Sequence, residues 1–324
     1  MPSLSGTLAT GGETLAVQCD LPWLVPHVVE GADGQLGSAR PGTVRVHVEA
    51  DRRPFPTAGW TRLSRDAWTR SGQVVLLDAA TSGLDLLLRH GVDGVEVVCR
   101  WRPPARTRAA ATVLRTRARL LLRAVLLQYP VLWAASVRGR APLHACGVVS
   151  STSGAILVVG PSGAGKTTVV EHELSAGGSA TTDNLCVATP DTVWGLVEPV
   201  RSETGSGRPA PHGRRERPLP RRIPVMHPQV VVVLERGERT ELHASAPHAA
   251  ARALVASTYA AGELRRYWPF HAQVALGTGS GSAHPAVTDV ASALCAALPC
   301  VRLTLARARD VRLAEVLGAE GVLR

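Results

Sequence analysis

A glycine-rich run at residues 160–168 constrains the fold of this chain more than any other feature. It reads GPSGAGKTT, and it lies between the apolar run GAILVVG and the amphipathic run KTTVVEHELSAG. A short apolar run of this kind is typical of a buried strand, and the spacing that follows is typical of a helix. Glycines between them permit tight backbone turns that other residues resist. The sequence therefore predicts a strand, a glycine-rich turn and a helix in direct succession.

The same run fits the phosphate-binding pattern GxxxxGK[ST]. In that pattern successive backbone N–H groups and the N-terminus of the helix surround a phosphate. The lysine reaches the terminal phosphates, and the hydroxyl after it binds Mg²⁺. We therefore predict a site for Mg²⁺ with ATP or GTP. The predicted site consists of Gly160, Ser162, Gly163, Ala164, Gly165, Lys166, Thr167 and Thr168.

Lys166 is the only lysine in the chain, because every other member of the 36 Lys and Arg residues is arginine. Lysine carries a compact charge on a flexible stem, whereas arginine presents a wide planar fork. A loop of closely spaced amides accepts the narrow ammonium and excludes the fork. We therefore expect that arginine cannot replace Lys166 at this site, and that Lys166 faces solvent when no nucleotide is bound.

The lone lysine also narrows the class of phosphate-binding protein. GTPases that recognise guanine through an Asn-Lys-x-Asp loop need a second lysine, which this chain lacks, and the ABC signature LSGGQ is absent too. Glu235 ends the apolar run VVVVLE, where many such proteins carry an acidic residue on a strand. Two interpretations stay open for Glu235, as a catalytic acid or as the start of a turn in ERGER.

The composition indicates a globular chain outside the membrane. Of 324 residues, 45% are hydrophobic and 19% are charged, and the formal net charge is +10. No 18-residue run is both apolar and uncharged, and the N-terminal residues lack the order of a signal peptide. Six scattered cysteines predict reduced, buried thiols. We therefore expect a cytoplasmic protein with an anionic partner; the possibility of a homo-oligomer is left open.

Two regions differ in their hydrophobic patterns, and both belong to an α/β fold class. Residues 1–105 predict a β-rich region, with strands in TVRVHVEA, QVVLLDAA and VEVVCRW and a short helix in LDLLLRHG. Residues 106–324 alternate strands and helices, as expected of a layered α/β domain.

Two arginine-rich segments stand out in the second region. A helix is predicted over 109–128, with Arg115, Arg119 and Arg123 at four-residue spacing. This stripe is either a solvated face or a surface for an anion or a nucleic acid. Residues 201–222 carry seven arginines among Gly, Pro and Ser, which predicts a mobile loop that closes as a lid.

Two further motifs flank the glycine-rich run. His144 lies upstream in the strand-like APLHACGVV, and Asp183 and Asn184 follow downstream in SATTDNLCV. The order of His, strand, phosphate loop, helix and acid resembles the HPr kinase/phosphorylase superfamily. The resemblance covers about 130–315, and it includes the lead-in LLQYPVLWAASVRGRAPLHA.

The resemblance implies a P-loop-containing, HPr-kinase-like core and a role for each matching residue. Asp183 corresponds to the catalytic aspartate near Mg²⁺, so it is expected to act with Thr167 at the metal. His144 corresponds to the histidine beside the phosphates. The second acid of the family's Asp-Asp pair is Asn184 here, and the later Glu-x-Arg-Gly loop is matched only loosely by 203–208.

The resulting prediction is a kinase that phosphorylates a hydroxyl, with Asp183, His144 and Lys166 as catalytic residues. The favoured acceptor is a small metabolite, such as a nucleoside-like intermediate of natural-product biosynthesis. A peptide or protein serine is the alternative acceptor. A non-catalytic nucleotide-binding regulatory module is a further alternative, and binding to nucleic acid through the arginine stripe is the least favoured.

Overall fold

The computed structural model describes residues 3–152, 154–203, 206–306 and 311–319. The fold is mixed α/β, with a β-rich N-terminal region and sheets that combine parallel and antiparallel pairs. The chain forms two compact units. The first unit comprises Met1–Arg138, Pro209–Arg214 and Arg266–His284, and the second comprises Gly139–Arg208, Arg215–Arg265 and Pro285–Arg324.

The strands are numbered in chain order. They are β1 Leu4–Thr10, β2 Glu13–Cys19, β3 Val44–Glu49, β4 Thr61–Ser64, β5 Ala67–Arg70, β6 Gln73–Leu76, β7 Leu84–Gly91, β8 Gly94–Trp101, β9 Ala141–Ser150, β10 Gly154–Val159, β11 Ser179–Thr182, β12 Leu185–Ala188, β13 Val193–Gly195, β14 Val200–Ser202, β15 Arg208–Pro209, β16 Arg215–Arg217, β17 Val225–Met226, β18 Val230–Arg236, β19 Glu241–Ala244 and β20 Cys300–Leu305.

The helices are numbered in the same way. They are α1 Val25–Gly31, α2 Ala105–Val113, α3 Arg115–Arg123, α4 Tyr129–Val137, α5 Lys166–Ser175, α6 Pro247–Ala260, α7 Tyr267–Thr278, α8 Val287–Ala297 and α9 Leu313–Ala319. A π-helical turn over Ala124–Gln128 joins α3 to α4.

The first unit contains a sheet of eight strands in the order β1-β2-β3-β8-β7-β6-β5-β4. β2, β3 and β8 run parallel to one another, and the remaining pairs are antiparallel. Helix α7 packs closely on this sheet. A Cβ atom on Gly277 would lie 2.3 Å from a methyl group of Val74, so only glycine permits this approach. The predicted strands within 44–49, 73–76 and 95–101 are confirmed.

The second unit contains a nine-stranded sheet. Its order is β17-β13-β12-β9-β10-β18-β20-β19, and β11 pairs with β9 outside this path. β10, β18 and β20 are parallel, which brings the C-terminal ends of β10 and β18 to the same edge. Helix α5 buries Val169, Val170 and Leu174 in a core with β-strand residues such as Ile156 and Val158. That edge positions the site described below.

Two helix predictions in the N-terminal half are wrong in detail. LDLLLRHG forms strand β7 instead of a helix, because its apolar side chains pair with β8 and fill the sheet core. The helix predicted over 109–128 is interrupted at Leu114, whose ψ of 53° is not helical, and it continues through Pro130 to Val137. Proline is tolerated there because it stands in the first turn of α4.

The arginine stripe is not a uniformly solvated face. Arg115 is exposed, but Arg123 is only 4% exposed.

Within the described residues, one helical stretch, Arg115–Val137, is long and apolar enough to cross a membrane. Its most apolar window is 78% buried inside the protein, as in the core helix of a globular fold.

The segment 201–222 is also more ordered than the sequence predicts. It contains part of β14 and all of β15 and β16, and β14 pairs with β16 in antiparallel register. Arg217 pairs with Glu171, and Arg222 donates to the carbonyl of Glu198 at 2.7 Å. Some of the arginines in the predicted mobile lid are therefore already bound by carboxylates and carbonyls of the protein. Thr204 and Gly205 lie outside the described residues.

The division into units differs from the predicted boundary between residues 105 and 106. Helices α2 to α4 belong to the first unit, as does the later helix α7. Helix α4 packs on β2, β3 and β8, which explains why the first unit extends to Arg138.

Candidate functional site

The glycine-rich loop connects β10 to α5, as the sequence predicts. β10 ends at Val159, and α5 begins at Lys166 after Gly165, whose φ of 110° lies in the region that favours glycine. A Cβ atom on Gly160 would lie 2.7 Å from the carbonyl oxygen of Leu234. The loop therefore depends on glycine at Gly165 for its turn and at Gly160 for its approach to β18.

The start of α5 presents backbone donors. The amide of Val169 donates to the carbonyl of Gly165 at 3.0 Å. The amides of Thr167 and Thr168 stand in the first turn, where a helix offers no internal acceptor. Such donors, with the positive end of the helix dipole, attract an anion. Ala164 is buried beneath the loop, whereas Ser162 and Thr168 are exposed.

Lys166 folds back onto this loop. Its Nζ atom donates to the carbonyl oxygens of Gly160 at 2.6 Å and Pro161 at 3.1 Å. The side chain is 7% exposed, so the expectation that it faces solvent is wrong. The reason is that the turn directs two carbonyl oxygens towards the ammonium group, which binds them in place of water. A phosphate would have to compete with these carbonyls for the ammonium.

Asp183 lies beside the loop, between β11 and β12. Its Oδ2 atom is 3.3 Å from the hydroxyl oxygen of Thr167, and the residue is 5% exposed. The structure thus brings together Lys166, Thr167 and Asp183, three residues that the sequence singled out. Their side chains supply an ammonium, a hydroxyl and a carboxylate at one end of α5.

The pKa of Asp183 is raised to about 7, chiefly by burial and also by the negative charge of Glu198. The guanidinium groups of Arg201 and Arg222 and the hydrogen bond from Thr167 oppose this rise. The carboxyl group therefore exchanges its proton near neutral pH. An acid whose pKa matches the working pH is well suited to accept a proton from a hydroxyl.

Glu198, Arg201 and Arg222 belong to the site, although sequence reasoning did not select them. Glu198 is 3% exposed and accepts a hydrogen bond from the side-chain amide of Asn184 at 2.9 Å. Arg201 pairs with Glu198 at 3.4 Å and with Glu263 at 2.8 Å. A network of opposite charges therefore surrounds Asp183.

A signal for Glu198 was present in the sequence. The residue stands in the apolar run VWGLVEPV, where a buried position rarely carries an unpaired charge. Arg201 follows three residues later, which supplies a compensating charge. The sequence comparison matched the family's Glu-x-Arg-Gly loop to residues 203–208 instead, a segment that begins five residues after Glu198.

His144 occupies the buried strand β9 and is held by helix α6. Its Nδ1 atom lies 3.1 Å from the carbonyl oxygen of Ser257, and its backbone N–H donates to the hydroxyl of Thr258 at 3.1 Å. The pKa of His144 is lowered to about 4, chiefly by burial and also by the positive charge of Lys166. The imidazole is therefore neutral at pH 7, with its Nδ1 proton donated to Ser257.

Arg236 is a second cation at the loop. It ends β18, and its Nε atom donates to the carbonyl oxygen of Gly163 at 3.2 Å. Its neighbour Glu235 does not start a turn, because it lies within β18, where it is exposed and 3.7 Å from Arg302. The strand thus presents an arginine, and not the acid considered from the sequence, to the loop.

The donors present suit magnesium better than a transition metal. In the described part of the chain, no group of three His, Cys, Asp or Glu side chains is arranged to hold a metal ion. Magnesium is usually held by one or two carboxylates together with waters and substrate phosphates. The Thr167 hydroxyl and the Asp183 carboxylate, 3.3 Å apart, fit that requirement.

The six cysteines are free and buried, as predicted.

Comparison of the chain with models of known protein families finds no match. Comparison with curated proteins finds no significant relative.

Proposed function

We propose that this chain is a magnesium-dependent kinase with a P-loop core of the HPr-kinase type. It transfers the γ-phosphate of ATP or GTP to an acceptor hydroxyl in the cytoplasm. The observation that carries the proposal is the 3.3 Å contact between the Thr167 hydroxyl and the buried Asp183 carboxylate. This contact places a hydroxyl that can bind a metal next to a carboxylate that can act as a base. Both lie beside a loop whose backbone amides can bind an anion.

The loop and its cations bind the phosphates in this proposal. The amides that begin α5 donate to phosphate oxygens, and Lys166 exchanges the carbonyls of Gly160 and Pro161 for the terminal phosphates. Arg236 supports the loop through Gly163. Thr167 and Asp183 would hold Mg²⁺, which supplies charge neutralisation for the transferring group when bound.

Asp183 is the proposed general base. Its pKa of about 7 leaves a useful fraction ionised at neutral pH while keeping the carboxylate basic enough to take a proton. Arg201 and Arg222 favour the ionised form, whereas Glu198 disfavours it. His144 contributes a neutral imidazole near Lys166, so it adds no charge that would compete with the ammonium for phosphate.

A small metabolite is the proposed acceptor, such as a nucleoside-like intermediate in natural-product biosynthesis. Asp183 is 5% exposed, and an acceptor hydroxyl must reach this enclosed carboxylate. A small molecule enters such a site whole. A peptide or protein serine would have to arrive on an extended loop, and it is the alternative acceptor.

A nucleotide-binding regulatory module without catalysis is the second candidate. Asn184 favours it, because an amide cannot provide the charge of a second acid. The side-chain amide of Asn184 nevertheless donates to Glu198 at 2.9 Å. This contact supports the kinase proposal, since it keeps a second carboxylate close to Asp183.

Transfer from labelled ATP and GTP to a panel of hydroxylated small molecules and serine peptides tests the proposal. We expect Asp183→Asn to lose roughly 10²–10⁴ of the transfer rate while nucleotide affinity changes by only a few fold. Asp191→Asn is the matched control, because Asp191 is an exposed turn residue bonded to Thr189 and Thr192. Nucleotide binding without transfer to any acceptor would favour the regulatory module, and absence of binding would end both proposals.

A further inference from the structure

A groove in the second unit lies on the surface formed by α6 and α8. Its volume is about 650 Å³, which falls within the range of small-molecule sites. The lining residues are Pro247, His248, Ala251, Arg252, Val255 and Ala256 of α6, with Thr288, Ser292 and Ala296 of α8. None of them belongs to the site around Asp183.

Small side chains create the groove. Ala251 is buried at its base, and Val255, Ala256 and Ala296 provide apolar walls. Larger residues at these positions would fill the space between the two helices. The surface is therefore shaped for an apolar body of modest size.

Charged and polar groups border the apolar part. His248 and Arg252 are exposed and lie one helical turn apart on α6. Thr288 and Ser292 are spaced in the same way on α8. Within the described ranges, no carboxylate pairs with Arg252, whereas Arg201 of the same unit pairs with two. The groove thus offers a cation and two hydroxyls beside an apolar wall, which complements an anionic group on an apolar body.

Helix α6 connects this groove to His144. Val255 and Ala256 line the groove, and the next two residues, Ser257 and Thr258, hold the imidazole and backbone of His144. A ligand that shifts α6 against α8 would move both hydrogen bonds. The two sites can therefore be coupled through one helix, provided that the ligand prefers one position of α6.

We propose that the groove binds a small amphipathic anion, with an apolar body and a carboxylate or similar head, and that its occupancy is transmitted through α6 to His144. Binding is independent of the kinase proposal, whereas any effect on phosphate transfer rests on it. Arg252 pairs with the head group, and the alanine and valine side chains contact the body.

Decanoate is the probe, and its binding is measured by calorimetry and by displacement of anilinonaphthalene sulfonate, without nucleotide. We expect one saturable site. Arg252→Gln should weaken decanoate binding roughly tenfold or more, because a charge-assisted contact is lost. Ser292→Phe and Ala296→Phe should each block the groove. Arg302→Gln is the control, since Arg302 is an arginine on β20 that pairs with Glu235.

Equal binding by wild type, Arg252→Gln and Ser292→Phe would overturn the site, and so would equal competition by decanol. Concentration-dependent dimerisation that Ser292→Phe abolishes would assign the groove to a second copy of the chain instead. For the coupling, decanoate should shift the imidazole resonances of His144, identified with His144→Gln. If decanoate binds without shifting these resonances, the coupling through α6 is wrong but the binding site stands. Neither measurement depends on kinase activity.

Discussion

The ion pairs around Glu96 in the first unit lie near the surface, whereas the charged side chains around Asp183 in the second unit are buried. On the first sheet, Glu96 pairs with Arg45 at 2.5 Å and also with Arg89. Burial alone would raise the pKa of Glu96, but the two guanidiniums outweigh it and lower the pKa. These side chains are between 24% and 57% exposed, so water and salt screen them.

The ionisable side chains at the site in the second unit are buried instead. Asp183, Glu198 and His144 are each 5% exposed or less. Burial raises the pKa of Asp183 and lowers that of His144, so in each case the charged form is disfavoured. Removing charges from water is expensive, and opposite charges nearby compensate only in part. A fold that needed only stability could replace these groups with apolar residues.

The difference between these two clusters indicates that the buried charges around Asp183 cost stability and are retained for a functional reason. Groups with strongly shifted pKa values tend to cluster at functional sites. Asp183 and His144, whose pKa values are strongly shifted, lie in the same unit as the loop whose sequence pattern independently indicates phosphate binding. The following predictions test whether the buried charges of the second unit behave differently from the surface pairs of the first.

The largest expected effect is on Lys166. Lys166→Arg should lose nucleotide-dependent transfer by at least about 10²-fold, almost as much as Lys166→Ala, because the planar fork does not fit the loop. Both variants should also lose some stability, since the buried ammonium binds the carbonyls of Gly160 and Pro161. Nucleotide titration and thermal unfolding check these outcomes. Transfer at the wild-type rate in Lys166→Arg would refute the explanation of the lone lysine.

His144 should make the second unit sensitive to acid. Its pKa is about 4 in the folded protein and about 6.5 in an unfolded chain. The folded state therefore binds the proton more weakly, and the stability it contributes is full above pH 6.5 and is lost as the pH falls towards 4. The loss at pH 4 is on the order of 2–3 kcal/mol at most. His144→Gln should lack this component of the pH dependence in urea unfolding; parallel pH profiles for the two proteins would contradict it.

Arg236 should affect nucleotide binding more than stability. Arg236→Gln removes the cation that donates to Gly163, so we expect nucleotide affinity to fall by roughly tenfold. Arg302→Gln on the neighbouring strand should leave affinity unchanged. Fluorescence titration with a labelled nucleotide measures both. Equal affinities of the two variants would remove Arg236 from the site.

The surface pairs of the first unit should contribute least. Arg45→Gln should change the free energy of unfolding by less than about 1 kcal/mol, and the effect should shrink in high salt. Urea unfolding at low and high salt measures it. A large, salt-independent loss would show that the pair of Arg45 and Glu96 behaves as a buried ion pair, and would contradict the comparison with the site around Asp183.

The strand, turn and helix around Lys166 could be predicted because apolar runs and glycines are local signals. That Asp183 lies close to Thr167 was expected only from the resemblance to the HPr kinase/phosphorylase superfamily, and the 3.3 Å contact agrees with that expectation. Glu198 and Arg201 were missed, because their importance arises from burial and from pairing across the unit. LDLLLRHG was misassigned since a short apolar run suits a strand and a helix equally, and only its pairing with β8 decides.

The most direct test of the central claim is the pH dependence of stability in Asp183→Asn, with Asp20→Asn as the control in the first unit. Hydrogen exchange of amides in β9 and β10 reports on the second unit, and that of β2 and β3 on the first. The folded pKa of Asp183 is about 7, above the ordinary value of about 3.9. The ionised carboxylate therefore lowers stability increasingly as the pH rises from 4 to 8.

Asp183→Asn should accordingly be more stable than wild type at pH 8, by roughly 2–4 kcal/mol, and the difference should fall towards zero near pH 4. Asp20→Asn should show the opposite sign, because the hydrogen bond with His47 lowers the pKa of Asp20 and its charge is stabilising. A variant that is less stable than wild type at pH 8, or a difference that does not change with pH, would contradict the claim that the second unit gives up stability to keep Asp183.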